Sequence, residues 1–151
     1  MRKSLIFASL ALLIVLFSCG SKNATPQQQE KTHKELFEED LANSKTPYAR
    51  ISAPKDIDMG VFDAEHLVKS VVLKVNNTGT GPLYINTLMP ECDCTTLEIS
   101  DSVVAPKSDT RITVTMDVTE YTPGKIHKSF SIISNSVDNH VLHIGLDCER
   151  K

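Results

Sequence analysis

The chain contains no tryptophan, and aromatic residues make up only 5% of it. Antibody-type sandwiches pack a buried Trp against a Cys–Cys pair; with no Trp, that Cys–Trp–Cys core is excluded. Basic residues are not in excess: 16 Lys and Arg stand against 19 Asp and Glu. No basic face for nucleic acid is expected from that balance. No apolar stretch reaches the roughly 20 residues that a membrane-spanning helix needs. There is no Ser-His-Asp order, no nucleophile–base pair, and no clustering of carboxylates beyond what solubility explains. No catalytic residue is therefore assigned, and the chain reads as non-enzymatic. The Gly79-Thr80-Gly81 fragment of a phosphate-loop pattern is followed by no helical period, so it reads as a turn.

The most apolar segment is Leu5 to Phe17, 13 residues behind Met1, Arg2 and Lys3. A positive start followed by a short apolar run reads as a secretory signal. It runs into Leu16-Phe17-Ser18-Cys19, which resembles the lipobox of bacterial lipoproteins. That resemblance implies cleavage after residue 18, acylation of Cys19 and anchoring in a bilayer. More than one acyl chain gives stable attachment where a single chain does not. The expected place is the bacterial cell envelope, facing the periplasm. Loss of residues 1–18 removes two basic residues and leaves 133. A chain of that length is expected to hold one domain.

Residues 19–49 are polar and poor in branched apolar residues, and read as a lipidated, flexible tether. As coil, the segment spans about 30 Å root-mean-square. Within it, Thr32 and Glu35 have capping-box spacing, which predicts one short helix over "THKELFEEDLAN".

From residue 50 to 151 the texture changes. Runs of Val, Ile and Thr alternate with Gly, Pro, Asn and Asp, an all-β pattern. Strands are predicted near 50–58, 66–76, 82–90, 94–100, 110–118, 125–134 and 140–148. In "RITVTMDV", Ile112, Val114, Met116 and Val118 share one face, the alternation of a half-buried strand. Leu142, Ile144, Leu146 and Cys148 share a face in the last strand. Ile126, Phe130 and Ile132 do so in the strand before it, where Lys128 is the exception. The fold class is all-β: a seven-stranded immunoglobulin-like β-sandwich.

Several motifs recur in order along this region: "DMGVFDAEH", "LKVNNTGTGPLYI", "LMPECDCT", "VVAPKSDTRITVTMD" and "TPGKIHKSFSIISN". Together they resemble a bacterial family of unknown function, found in envelope lipoproteins and secreted proteins, whose signature is Cys-Gly-Cys-Thr. Asp93 stands where that signature has Gly, and Lys107 where its Pro-Gly turn has Gly. The resemblance implies an Ig-like sandwich of the major-sperm-protein and ASH kind. It implies no activity.

If Cys19 is acylated, three cysteines remain for the folded region: Cys92, Cys94 and Cys148. An oxidising compartment allows them one intramolecular disulfide and leaves one thiol over. Three readings stay open. Cys92 and Cys94 lie two apart, so on an extended strand both face the core as buried thiols. Either one pairs with the other or with Cys148. Or they handle copper or thiols, with His66, His127, His140 and His143 as the available imidazoles. Against a zinc site, one C-x-C supplies only two of the four ligands needed, and no metal or cofactor is assigned. The leading expectation is a membrane-anchored envelope module that binds an unidentified protein partner. The alternative is a copper-binding or thiol-redox protein using Cys92, Cys94 and Cys148.

Overall fold

The computed structural model describes residues 32–151. The segment expected to be a signal peptide, residues 1–18, lies outside the described residues, as do Cys19 and residues 20–31 of the expected tether. The predicted helix is present as α1, His33–Asn43. Its capping box is formed: Thr32 N donates to Glu35 Oε2 at 2.8 Å, and Glu35 N to Thr32 Oγ1 at 3.3 Å. None of its residues is buried. The chain divides into two compact units at Asp40–Leu41, and the second holds all the strands.

That second unit carries nine strands rather than seven: β1 Ile51–Ser52, β2 Asp56–Phe62, β3 Val68–Asn77, β4 Leu83–Pro90, β5 Thr95–Ile99, β6 Val103–Val104, β7 Asp109–Asp117, β8 Gly124–Ser134 and β9 Val141–Arg150. They form a four-stranded sheet ordered β1-β3-β7-β5 and a five-stranded sheet ordered β2-β9-β8-β4-β6. The expected first strand, 50–58, is in fact two. The break falls at Ala53-Pro54-Lys55, where proline has no N–H to give to a ladder. There the chain changes sheets. β1 pairs antiparallel with β3, whereas β2 pairs parallel with β9. β6 is the other addition, two residues set opposite Leu83 and Tyr84.

The alternation seen in the sequence does build the interior. Ile112, Val114 and Met116 of β7 face the core, and Val118 follows them into it. Leu142, Ile144 and Leu146 of β9 meet them from the other sheet. Phe62 and Phe130 are the largest fully buried side chains. A buried Val, Leu, Ile or Phe stabilises by about 1.5–3 kcal/mol over its exposed state. A shared inner face is thus what two sheets of this size require. Lys128, the exception on the core face of β8, is only half-buried. Its methylenes follow the apolar side while the ammonium escapes, ending 5.6 Å from the centroid of the Tyr121 ring.

One buried polar residue ties the loops at an end of the sandwich. Asn77 is 1% exposed. Its Nδ2 donates to the carbonyls of Gly81, Val104 and Ala105 at 2.8, 3.0 and 3.2 Å. Its Oδ1 accepts from the N–H of Gly79 at 3.0 Å and of Arg50 at 3.4 Å. The Gly79-Thr80-Gly81 turn lies directly against residues 47–50. A Cβ on Gly79 would stand 2.3 Å from the Tyr48 carbonyl oxygen, so only glycine fits there.

Candidate functional site

β4 ends at Pro90 and β5 begins at Thr95 in the opposite sheet. The four residues between them, Glu91 to Cys94, must therefore cross an end of the sandwich in a turn. Of the three readings left open, that placement does not fit the one in which Cys92 and Cys94 lie on an extended strand and face the core together. Both are half-buried, in the turn, and bonded to each other: the disulfide joins Cα atoms 5.2 Å apart. Lys107 is the one described non-glycine residue at positive φ, so Asp93 does not occupy a left-handed position. Aspartate is accommodated where the family signature has glycine.

Backbone bonds hold the turn at both ends. Thr95 N donates to Cys92 O at 3.2 Å, and Asp117 N donates to Cys94 O at 2.9 Å. Thr95 is buried, and its Oγ1 sits 3.7 Å from each sulfur. Tyr121 reaches over from the β7–β8 connection, and its hydroxyl donates to Cys94 Sγ at 3.3 Å. Lys128 stands over the ring of that tyrosine. Beside the sulfurs is an open depression of ≈ 420 Å³, lined by Cys92, Asp93, Cys94, Asp117, Glu120 and Tyr121. The Asp117 carboxyl is held below its ordinary range, first by the Thr119 hydroxyl and then by the Thr119 N–H. It is ionised at neutral pH, so the depression is acidic around an apolar disulfide.

Cys148 takes no part. It is 7% exposed, unpaired, and buried on the inner face of β9. Of the three cysteines, the fold thus joins Cys92 to Cys94 and leaves Cys148 free. The pairing has an energetic consequence. A three-residue loop removes little entropy from the unfolded chain, about 1.6 kcal/mol by the loop-closure relation; a Cys92–Cys148 or Cys94–Cys148 bond would give about 4 kcal/mol. The observed disulfide adds comparatively little stability.

The histidines do not gather around the cysteines. His66 bonds Asp63, His127 bonds Asp147 and His143 bonds Ser131, at 2.8, 2.8 and 2.9 Å. His140 precedes β9, so the strand alternation does not apply to it; its Nδ1 lies 3.4 Å from Ser134 O. No group of three or more His, Cys, Asp or Glu side chains fit to hold a metal occurs among the described residues. A second depression, ≈ 480 Å³, lies over Asp58, His127, Asp147 and Glu149 on the outer face of the five-stranded sheet. His127 has its pKa raised there, chiefly by the hydrogen bond its ring N–H donates to Asp147 and then by that carboxylate's charge.

Sequence reasoning missed Tyr121 and Lys128. "TEYTPG" reads as a turn, and nothing in the spacing connects position 121 to position 94. Only the crossing of the two connections at one end of the sandwich brings them together.

Among solved structures, the chain is similar to a Porphyromonas gingivalis W83 protein of unknown function, with a TM-score of 0.63 and 20% identity over 72% of this chain and 50% of that one. It is similar to the Vibrio cholerae VesB protease, with a TM-score of 0.54 and 9% identity over 66% of this chain and 32% of that one. It is also similar to the ASH/PapD-like domain 7 of human CEP192, with a TM-score of 0.50 and 11% identity over 72% and 89%. The chain thus spans half the length of the first of these and about a third of the second. At such identities the likeness is one of fold, and the fold is an Ig-like sandwich of the ASH/PapD kind. No curated protein matches the chain. A family model described as "Protein of unknown function (DUF1573)" matches residues 52–145, and the chain belongs to that family.

Proposed function

We propose that the protein is a lipoprotein of the bacterial envelope, acylated at Cys19, that works as a non-enzymatic module binding a protein partner. The lipobox and the short apolar run support the anchor. The observation that carries the binding reading is an open strand edge in the four-stranded sheet. β1 covers β3 at only two register pairs, Ile51–Asn77 and Ser52–Asn76. From Val68 to Val75, β3 has a ladder on its β7 side alone. Val68 and Val72 stand on the outer face beside that edge, 54% and 63% exposed. An unpaired edge with alternate apolar side chains is what an extended peptide adds to in strand augmentation. Proteins that do not use such an edge tend to cover it.

The test is a photo-crosslinking residue placed at Val72, and as a control at Ser131 on the other sheet, in lipidated full-length protein in cells. A discrete adduct from position 72 that disappears in Val68→Lys is expected. No adduct, or the same adducts from both faces, sinks the reading. The anchor is tested separately by labelled fatty acid: Cys19→Ala abolishes incorporation, and unchanged incorporation refutes acylation at that residue.

A further inference from the structure

The Cys92–Cys94 disulfide differs from a structural cross-link in three respects. It bridges one intervening residue, so it ties no distant strands together. It borders an open depression rather than lying within the core. And its two sulfurs are not equivalent. Both lie 3.7 Å from Thr95 Oγ1, but only Cys94 Sγ also receives the Tyr121 hydroxyl, at 3.3 Å.

We propose that this disulfide is a thiol–disulfide exchange site, with Cys92 as the sulfur attacked and Cys94 as the leaving group. Its substrate class is a thiol carried on a positively charged molecule. In the exchange an incoming thiolate, its proton already lost to water, bonds to Cys92 Sγ. The Cys92–Cys94 bond breaks, and its electron pair stays on Cys94 as a thiolate. The products are a mixed disulfide on Cys92 and an anionic Cys94. A monothiol stops there, and the step reverses when Cys94 attacks Cys92 again. A dithiol goes further. Its second thiolate attacks its own sulfur in the mixed disulfide, and Cys92 leaves as a thiolate. The dithiol is then oxidised by two electrons, the Cys92/Cys94 pair is reduced by two, and the dithiol's two protons are released.

The direction follows from where negative charge appears. Exchange is faster when the leaving sulfur is the better stabilised thiolate. An O–H bond to an ionised acceptor is roughly twice as strong as one to a neutral acceptor. The hydrogen bond from the Tyr121 hydroxyl therefore gains strength as Cys94 becomes anionic, and among the described residues Cys92 has no equivalent donor. Lys128 stands 5.6 Å from the centroid of that tyrosine ring. The substrate preference follows from the lining. Asp93, Asp117 and Glu120 face the approach to the sulfurs. They repel an anionic thiol and attract a cationic one, over a range that salt screens. The inference is independent of the binding reading above, because small thiols test it with no partner present.

The experiment uses the oxidised full-length protein with cysteamine, a cationic thiol, and glutathione, an anionic one. Rapid alkylation and peptide mapping show which cysteine carries the adduct. Each rate is divided by that of an oxidised synthetic peptide of residues 89–97, which carries the same ring without the fold. The expected adduct is on Cys92, with Cys94 alkylated. The normalised rate favours cysteamine over glutathione by about tenfold at low salt, and the gap closes as salt rises. Glu120→Gln narrows the gap without moving the adduct. Tyr121→Phe spreads the adduct over both cysteines and slows exchange by roughly tenfold. Equal adducts on both sulfurs of the unaltered protein overturn the proposal. So does a folded protein no faster than the peptide with either thiol. So does a folded Tyr121→Phe variant that behaves as the unaltered protein does. If Tyr121→Phe does not fold, the adduct position and charge preference of the unaltered protein decide.

Discussion

The Cys148 thiol points at Met116 Sδ across the interior, sulfur to sulfur at 3.9 Å, and so stays out of disulfide chemistry. Burial, followed by the charges of Asp147 and Asp58, raises its pKa above the ordinary thiol value. A raised pKa leaves less thiolate at neutral pH, and thiolate is the reactive form. Of Cys92, Cys94 and Cys148, none should react with an alkylating reagent in folded, non-reduced protein on a scale of minutes. Unfolding in denaturant without reductant should release one thiol, at Cys148. A thiol released at Cys92 or Cys94 instead would show that the pairing is different.

Asn77 satisfies five backbone groups at once. Replacing it with alanine removes the side-chain partner of three carbonyls and two N–H groups at a site that is nearly dry, and of the carbonyls Ala105 keeps the Ser108 N–H at 3.2 Å. A buried group left without a partner costs about 1–3 kcal/mol. Asn77→Ala should therefore lower unfolding stability by about 3 kcal/mol or more, read from the denaturant midpoint at unchanged slope. Asn77→Asp retains the acceptor but loses the three donated bonds, and should be nearly as damaging.

Lys107 holds φ at 60°, a left-handed conformation that disfavours a residue with a Cβ by about 1–2 kcal/mol. In partial compensation, its Nζ reaches the Thr78 carbonyl oxygen at 2.6 Å. Lys107→Gly should stabilise the domain by up to about 1 kcal/mol, since glycine's greater unfolded-state entropy offsets part of the relief. Lys107→Val should destabilise it. If chemical denaturation ranks valine above glycine, the backbone argument is wrong.

His127 is exposed, and its pKa is raised above the ordinary 6.5, first by Asp147 bonding to it and then by the charges of Asp147, Glu91 and Asp56. The sign is that of a group whose folded pKa exceeds its unfolded one. Its stabilisation is complete below the unfolded value and fades as pH rises through the folded value. The His127 ring resonances should titrate at higher pH in the unaltered protein than in Asp147→Asn. The stability gap between those two proteins should shrink as pH rises. A gap that grows in that direction contradicts the pairing.

The alternation of "RITVTMDV" and "HVLHIGLDC" is a local property, because side chains on a strand alternate by backbone geometry alone. The faces it assigned, Ile112 to Val118 and Leu142 to Cys148, are the buried faces of β7 and β9. Thr32 and Glu35 are three residues apart and cap α1, a contact set by helix geometry. The first strand was harder to read. Nothing local distinguishes one strand with a kink from two strands in different sheets, and Pro54 was the sole indication. Asn77 was equally hidden. Its partners at 50, 81, 104 and 105 lie on four segments whose meeting depends on the closed sandwich.

The amino-acid sequence alone determined the all-β class, the inner faces and the helix cap, since each depends on residues within a few positions of one another. The tertiary structure alone decided which cysteines pair. Crossing from β4 to β5 turned "ECDC" away from the extended form that would have sent both sulfurs inward. Packing β9 onto β7 placed Cys148 beside Met116 instead. The same crossing brought Tyr121 to one sulfur and not the other, and this asymmetry arises only where two distant connections meet.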